Sequence, residues 1–126
     1  MNCITYNIRG GGTSTKRRRI RETINKGKTD ICFIQETKRQ NMTEEFVKSF
    51  WGVDRCEWSA TPSIGQSGGL ITIWRLDMMK HVSSLCGKGF LGINMVWKEL
   101  NCHLTNVYSN PYLVCVEPCV FVSNSR

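Results

Sequence analysis

Residues 2–35, NCITYNIRGGGTSTKRRRIRETINKGKTDICFIQ, decide the fold, because their hydrophobic period changes twice within one short stretch. Ile4, Tyr6 and Ile8 alternate with Cys3, Thr5 and Asn7, the two-residue period of a strand whose faces differ. Gly10-Gly11-Gly12 release the backbone into a loop, and Thr13-Ser14-Thr15 offer N-cap residues for a helix running to about Lys26. Ile20 and Ile24 mark the buried stripe of that helix, and Gly27 fits the left-handed residue that commonly closes one. Asp30 to Gln35 then has the short apolar character of a buried strand. The unit is strand, helix, strand.

Beyond this unit the pattern shifts from helices to strands. Asn41 followed by Glu44 predicts a reciprocal capping pair, and Phe46, Val47 and Phe50 repeat at helical spacing, so a second short helix follows. From Arg55 onward, Trp58, the GLITIW run of Gly69 to Trp74, His81 to Cys86, Phe90 to Trp97 and Cys102 to Tyr108 read as successive strands. Glycines at 65, 68, 69, 87 and 89 punctuate them. Helices early and strands late predict a sheet-rich α/β sandwich without internal repeats. After Pro111, Glu117-Pro118 interrupts the apolar residues, and a proline cannot donate to a central ladder, so an edge or poorly packed segment is expected.

A length of 126 residues suits one small domain, and 40% apolar residues with four Trp and five Phe are enough for a modest core. The formal charge of +7 favours an anionic partner such as nucleic acid. Seven scattered cysteines do not form the paired framework of a small secreted domain. Arg9 stands where a signal peptide would place its apolar core, and no apolar run is long enough to span a bilayer. An intracellular protein, nuclear or cytoplasmic, without a membrane partner is the expectation.

Two polar residues, Asn7 and Glu36, stand at the ends of otherwise apolar strands, where sheets present side chains to clefts. A carboxylate with a nearby amide is a minimal site for Mg²⁺, which keeps several waters and needs only one or two carboxylates. Spacing alone favours the plainer reading, in which Asn7 forms a turn and Glu36 is solvated. Lys16, Arg17, Arg18, Arg19 and Arg21 are candidates for contacting phosphates, against a solvated helix face, which Ile20 and Ile24 favour. Cys115 and Cys119 lack the second pair a structural zinc site needs, and His81 and His103 fall inside strands without a nucleophile motif, so both histidines read as structural.

The strings ITYNIRGGG, DICFIQETK, GQSGGLITIW and NVYSNP, with a basic helix between the first two, are in order from Met1 to Pro111. Together they resemble the N-terminal half of the endonuclease/exonuclease/phosphatase superfamily, and most of all the apurinic-like endonuclease of plant LINE-type retrotransposons. The resemblance implies the truncated half of a four-layer α/β sandwich of DNase I type, with mixed, mostly antiparallel sheets flanked by helices. It divides the chain into a partial domain at 1–111 and a divergent tail at 112–126. It also implies a Mg²⁺ (or Mn²⁺) cofactor and DNA as partner. Asn7 would orient the metal and the scissile phosphate, Glu36 would bind the metal, and Tyr108 would stabilise the developing charge, while Ser67 to Gly69 would form a structural turn.

The chain departs from the family at Tyr6, where Trp is usual, and after Pro111, where neither a GDFN-like nor an SDH-like motif occurs. The expectation is a fragment of a Mg²⁺-dependent endonuclease whose turnover is lost, and whose uncovered sheet surface invites self-association. A non-catalytic basic nucleic-acid-binding module is the alternative. Inositol-lipid phosphatases and sphingomyelinases share the superfamily; the QETK string favours DNA.

Overall fold

The computed structural model describes residues 1–10, 12–52, 55–64, 67–77, 79–87, 89–107 and 122–123. β1 (Cys3–Asn7) and β2 (Ile31–Gln35) are parallel, so they need a crossover, which α1 (Ser14–Gly27) supplies. After α2 (Glu44–Trp51) come β3 (Cys56–Ile64), β4 (Ser67–Arg75), β5 (Met79–Gly87), β6 (Phe90–Trp97), β7 (Leu100–Val107) and β8 (Val122–Ser123). They form a five-stranded sheet of order β1-β2-β4-β3-β8 and a three-stranded antiparallel sheet of order β5-β6-β7. The fold is thus a mixed α/β arrangement of two sheets and two helices.

Both faces of the five-stranded sheet are covered. Ile20 and Ile24 of α1, with Phe46, Val47, Phe50 and Trp51 of α2, pack on Cys32, Ile34, Ile71 and Ile73 of the sheet. On the other face, Ile31, Leu70 and Trp74 meet Leu91, Ile93 and Met95 of the second sheet. Phe50, Ile34, Ile71 and Ile93 are fully buried, and each such side chain contributes about 1.5–3 kcal/mol of hydrophobic stabilisation. The second sheet turns its other face outward, where Leu85 and Val107 are exposed.

Local capping differs from the sequence expectation in two places. Thr43, not Asn41, caps α2, its hydroxyl accepting from the Phe46 N–H at 3.1 Å, while the Asn41 carbonyl accepts from Arg39 Nε at 3.2 Å. The left-handed residue closing α1 is Lys28 (φ 49°), because Gly27 stays helical and the next N–H reaches Ile24 O. At the start of α1, Thr13 is the cap, accepting from the Lys16 N–H at 3.2 Å. In the tail, β8 lies at the sheet edge against Ser59 and Trp58; Glu117 and Pro118 fall outside the described residues. No helix among the described residues is long and apolar enough to cross a membrane.

Candidate active site

β1 and β2 run in the same direction with Asn7 opposite Gln35, so Glu36 leaves the sheet one residue beyond Asn7 at the same edge. The loops that begin there are held in a cramped backbone. Arg9, Glu36 and Lys38 all have positive φ, at 54°, 56° and 51°, a conformation that costs a non-glycine residue about 1–3 kcal/mol and concentrates at functional sites. Backbone bonds hold it in place: the Gly10 N–H donates to Glu36 O at 2.6 Å, Thr37 N–H to Gly69 O at 3.2 Å and Lys38 N–H to Gly68 O at 2.9 Å. Gly68 and Gly69, both at positive φ, thus form the start of β4 that receives the Glu36 loop.

Asn7 is exposed, and its Oδ1 accepts from the Arg9 N–H at 3.0 Å, an Asx-type turn. The turn-forming reading of Asn7 is therefore realised, which leaves one lone pair of its oxygen and its amide N–H groups for other partners. Glu36 is half-buried, with no hydrogen bond or ion pair on its carboxylate among the described residues. One carboxylate and one amide oxygen at a shared strand edge fit the least that Mg²⁺ requires, with water and phosphate oxygens as remaining ligands. Among the described residues no group of three His, Cys, Asp or Glu could hold a metal. Tyr108 lies outside the described residues, as do Cys115 and Cys119, and β7 ends one residue before Tyr108.

The basic run of α1 does not act as a single face. Lys16 Nζ donates to Ile8 O at 2.9 Å and Gly10 O at 3.4 Å, pinning the loop that follows β1. Arg17 donates to Ser49 Oγ at 3.0 Å, and Arg21 to Ser49 O at 2.8 Å, so this i, i+4 pair braces α1 against α2. Arg18 pairs with Glu22 at 4.0 Å on the exposed side, and Arg19 is exposed. Cations outside the run also lie near the strand edge. Arg9 and Lys38 are exposed and carry no ion pair among the described residues, and the Lys38 stem lies against Gly10. Arg39 sits 3.9 Å above the Phe46 ring, which Arg17 also approaches at 5.6 Å. The sequence did carry a signal for these residues, since Arg9 stands two positions after Asn7, and Lys38 and Arg39 two and three after Glu36, in the RGGG and ETKR strings.

Both histidines are held away from this edge. His81 stacks on Trp74 between the sheets, with ring centroids 5.6 Å apart, and shares a 2.8 Å hydrogen bond with Ser84 Oγ. His103 bonds Asn94 at 2.7 Å and Thr105 at 3.2 Å on the outer face of the second sheet. Cys3, Cys32 and Cys102 are free thiols, and burial pushes Cys32 up to about 12, which makes it inert. Cys86 is instead engaged in a disulfide, a pairing that the scatter of cysteines gave no sign of.

The two sheets and the crossover unit form a DNase I-like α/β fold. The same fold is found in the crystal structure of the AP endonuclease LMAP from Leishmania major, with a TM-score of 0.60 and 16% sequence identity. The match covers 82% of this chain and 38% of that one, so the chain spans well under half the neighbour's length. No protein-family model matches the sequence, and no curated protein matches it.

Proposed function

We propose that this chain is part of a divalent-metal-dependent DNA endonuclease of LINE-type retrotransposon origin, built on the first part of a four-layer sandwich. The observation that carries the reading is the placing of Asn7 and Glu36 at one edge of two parallel strands, beside Arg9 and Lys38, which have no ion pair among the described residues. Its support is the fold shared with an AP endonuclease and the order of the motifs.

In this reading Glu36 holds Mg²⁺ or Mn²⁺, and Asn7 orients the ion and the scissile phosphate. A metal bound there supplies positive charge where a phosphate oxygen gains negative charge during hydrolysis. Arg9 and Lys38 hold the flanking phosphates by contacts that are independent of sequence. A positioned general acid or base contributes ~100 to 10,000-fold, and neither described histidine is placed to serve as one. Turnover by this chain is accordingly absent or very slow.

Plasmid nicking tests this directly. Purified chain with Mg²⁺ gives at most slow conversion of supercoiled to nicked DNA, abolished by Glu36→Ala and by EDTA. Rapid nicking indifferent to Glu36→Ala would remove Glu36 from the chemistry. A second reading, a non-catalytic basic module, draws on the same exposed Arg9 and Lys38, and salt-sensitive DNA binding that persists in EDTA without any nicking would favour it.

A further inference from the structure

β7 alternates inward and outward residues, and its inward positions run Cys102, Leu104, Asn106. An amide at the last of these is unexpected, because burying one without hydrogen bonds costs roughly 1–3 kcal/mol on the scale of protein mutations. Asn106 is 1% exposed and its bonds are made. Its Nδ2 donates to Ile71 O at 2.9 Å, Ile34 O at 3.2 Å and Thr72 Oγ1 at 3.2 Å, which joins β7 to β2 and β4 across the space between the sheets. Its Oδ1 accepts from Gln35 Nε2 at 2.8 Å, and that same nitrogen donates to Thr5 Oγ1 at 2.8 Å.

The resulting chain, Thr5 to Gln35 to Asn106, ties together four strands from both sheets. Gln35 is the register partner of Asn7 and the residue immediately before Glu36, whose backbone then turns into the left-handed region. A loop that leaves a sheet through a strained residue keeps its position only if the residue before it is fixed. The Gln35 backbone is held by β1 and β4 on either side and by the Ile8 N–H on its carbonyl at 3.0 Å, and the Asn106 amide adds a hold on its side chain. A leucine at this position would fill the space between the sheets and make none of these bonds, so the link from β7 to Gln35 depends on the amide.

We propose that Gln35 and Asn106 are positioning residues, a clamp between the sheets that fixes the backbone of Glu36 and hence its carboxylate. Its consequence for metal binding rests on the function proposed above. Polar groups behind a metal ligand typically change affinity by about 10–100-fold when removed.

The test uses Gln35→Met, which keeps the length of the side chain and removes both of its hydrogen bonds, with Asn106→Leu as a second variant. Two quantities are read: hydrogen exchange of the Gly10 amide, which bonds to Glu36 O, against that of the buried Ile93 amide, and Mn²⁺ affinity by calorimetry. The expected result for Gln35→Met is exchange at Gly10 faster by about tenfold or more with Ile93 unchanged, and Mn²⁺ affinity lower by about 10–100-fold. The clamp is overturned if Gly10 exchange is unchanged, or if both amides quicken together, since a merely structural loss moves them alike. Should Gly10 respond while neither the native chain nor Glu36→Ala binds Mn²⁺, the clamp stands and the metal-site reading falls. Should Mn²⁺ bind through Glu36 and ignore Gln35→Met, the metal-site reading stands and the clamp falls.

Discussion

Thr37 packs against the bare Cα of Gly69 so closely that a Cβ at position 69 would collide with Thr37 Oγ1. Gly69 also has φ 89°, a region that L side chains rarely adopt. Both facts locate the reason for the last glycine of the GQSGG string. The Thr37 and Lys38 N–H groups bond the carbonyls of Gly69 and Gly68, so this contact seats the loop that carries Glu36.

Gly69→Ala is therefore expected to lower stability by about 2–5 kcal/mol, from roughly 1–2 of backbone strain and 1–3 of overpacking. Repeating the substitution in a Thr37→Ala background recovers part of the steric share and none of the strain. A double-mutant cycle by urea denaturation measures the difference. Additive effects would show that Thr37 and Gly69 do not touch.

Periodicity made the β1-α1-β2 unit legible, because Ile4 and Tyr6, Ile20 and Ile24, and the ICFIQ run each obey one simple spacing. It was silent on sheet order. That β4 lies between β2 and β3 depends on which edges remain unpaired, a property of no single segment. The outward placing of the basic run held for Arg18 and Arg19 and gave way at Arg17 and Arg21, because α2 docks on the side they occupy. Asn7 and Glu36 could be found at strand ends, whereas their shared edge depends on a parallel pairing that spacing does not reveal. Asn106 did leave a signal, a polar residue at an inward position of an alternating strand, but reading it required knowing which face was inward.

His81 makes stability depend on pH. Burial between the sheets holds its imidazolium below the ordinary value of 6.5, and the nearby Glu57 carboxylate only partly opposes this. The depressed group binds a proton less readily in the folded chain than in the unfolded one. Its contribution is thus fully present above the unfolded value of 6.5 and is lost as pH falls through the folded value. The melting temperature is expected to drop between about pH 7 and 5, and His81→Asn to flatten that drop. An unchanged slope in the variant would assign the pH dependence to other groups.

The loop cations and the helix cations differ in what they would give up to bind DNA. Lys16, Arg17 and Arg21 each donate to oxygens within the fold, so engaging phosphate would cost them those bonds, and Arg18 would give up its exposed pairing with Glu22. Arg9 and Lys38 give up nothing comparable, as neither has an ion pair among the described residues, and both flank the Asn7 and Glu36 edge. Every phosphate neutralised contributes about 0.9 to the slope of log affinity against log salt. Arg9→Gln and Lys38→Gln, which keep a long polar side chain at these left-handed positions, are each expected to lower that slope by about one in filter binding to duplex DNA. Arg18→Gln is expected to leave the slope alone. If Arg18→Gln lowers it while Arg9→Gln and Lys38→Gln do not, DNA lies along the exposed side of α1 and the two loops play no part in holding it.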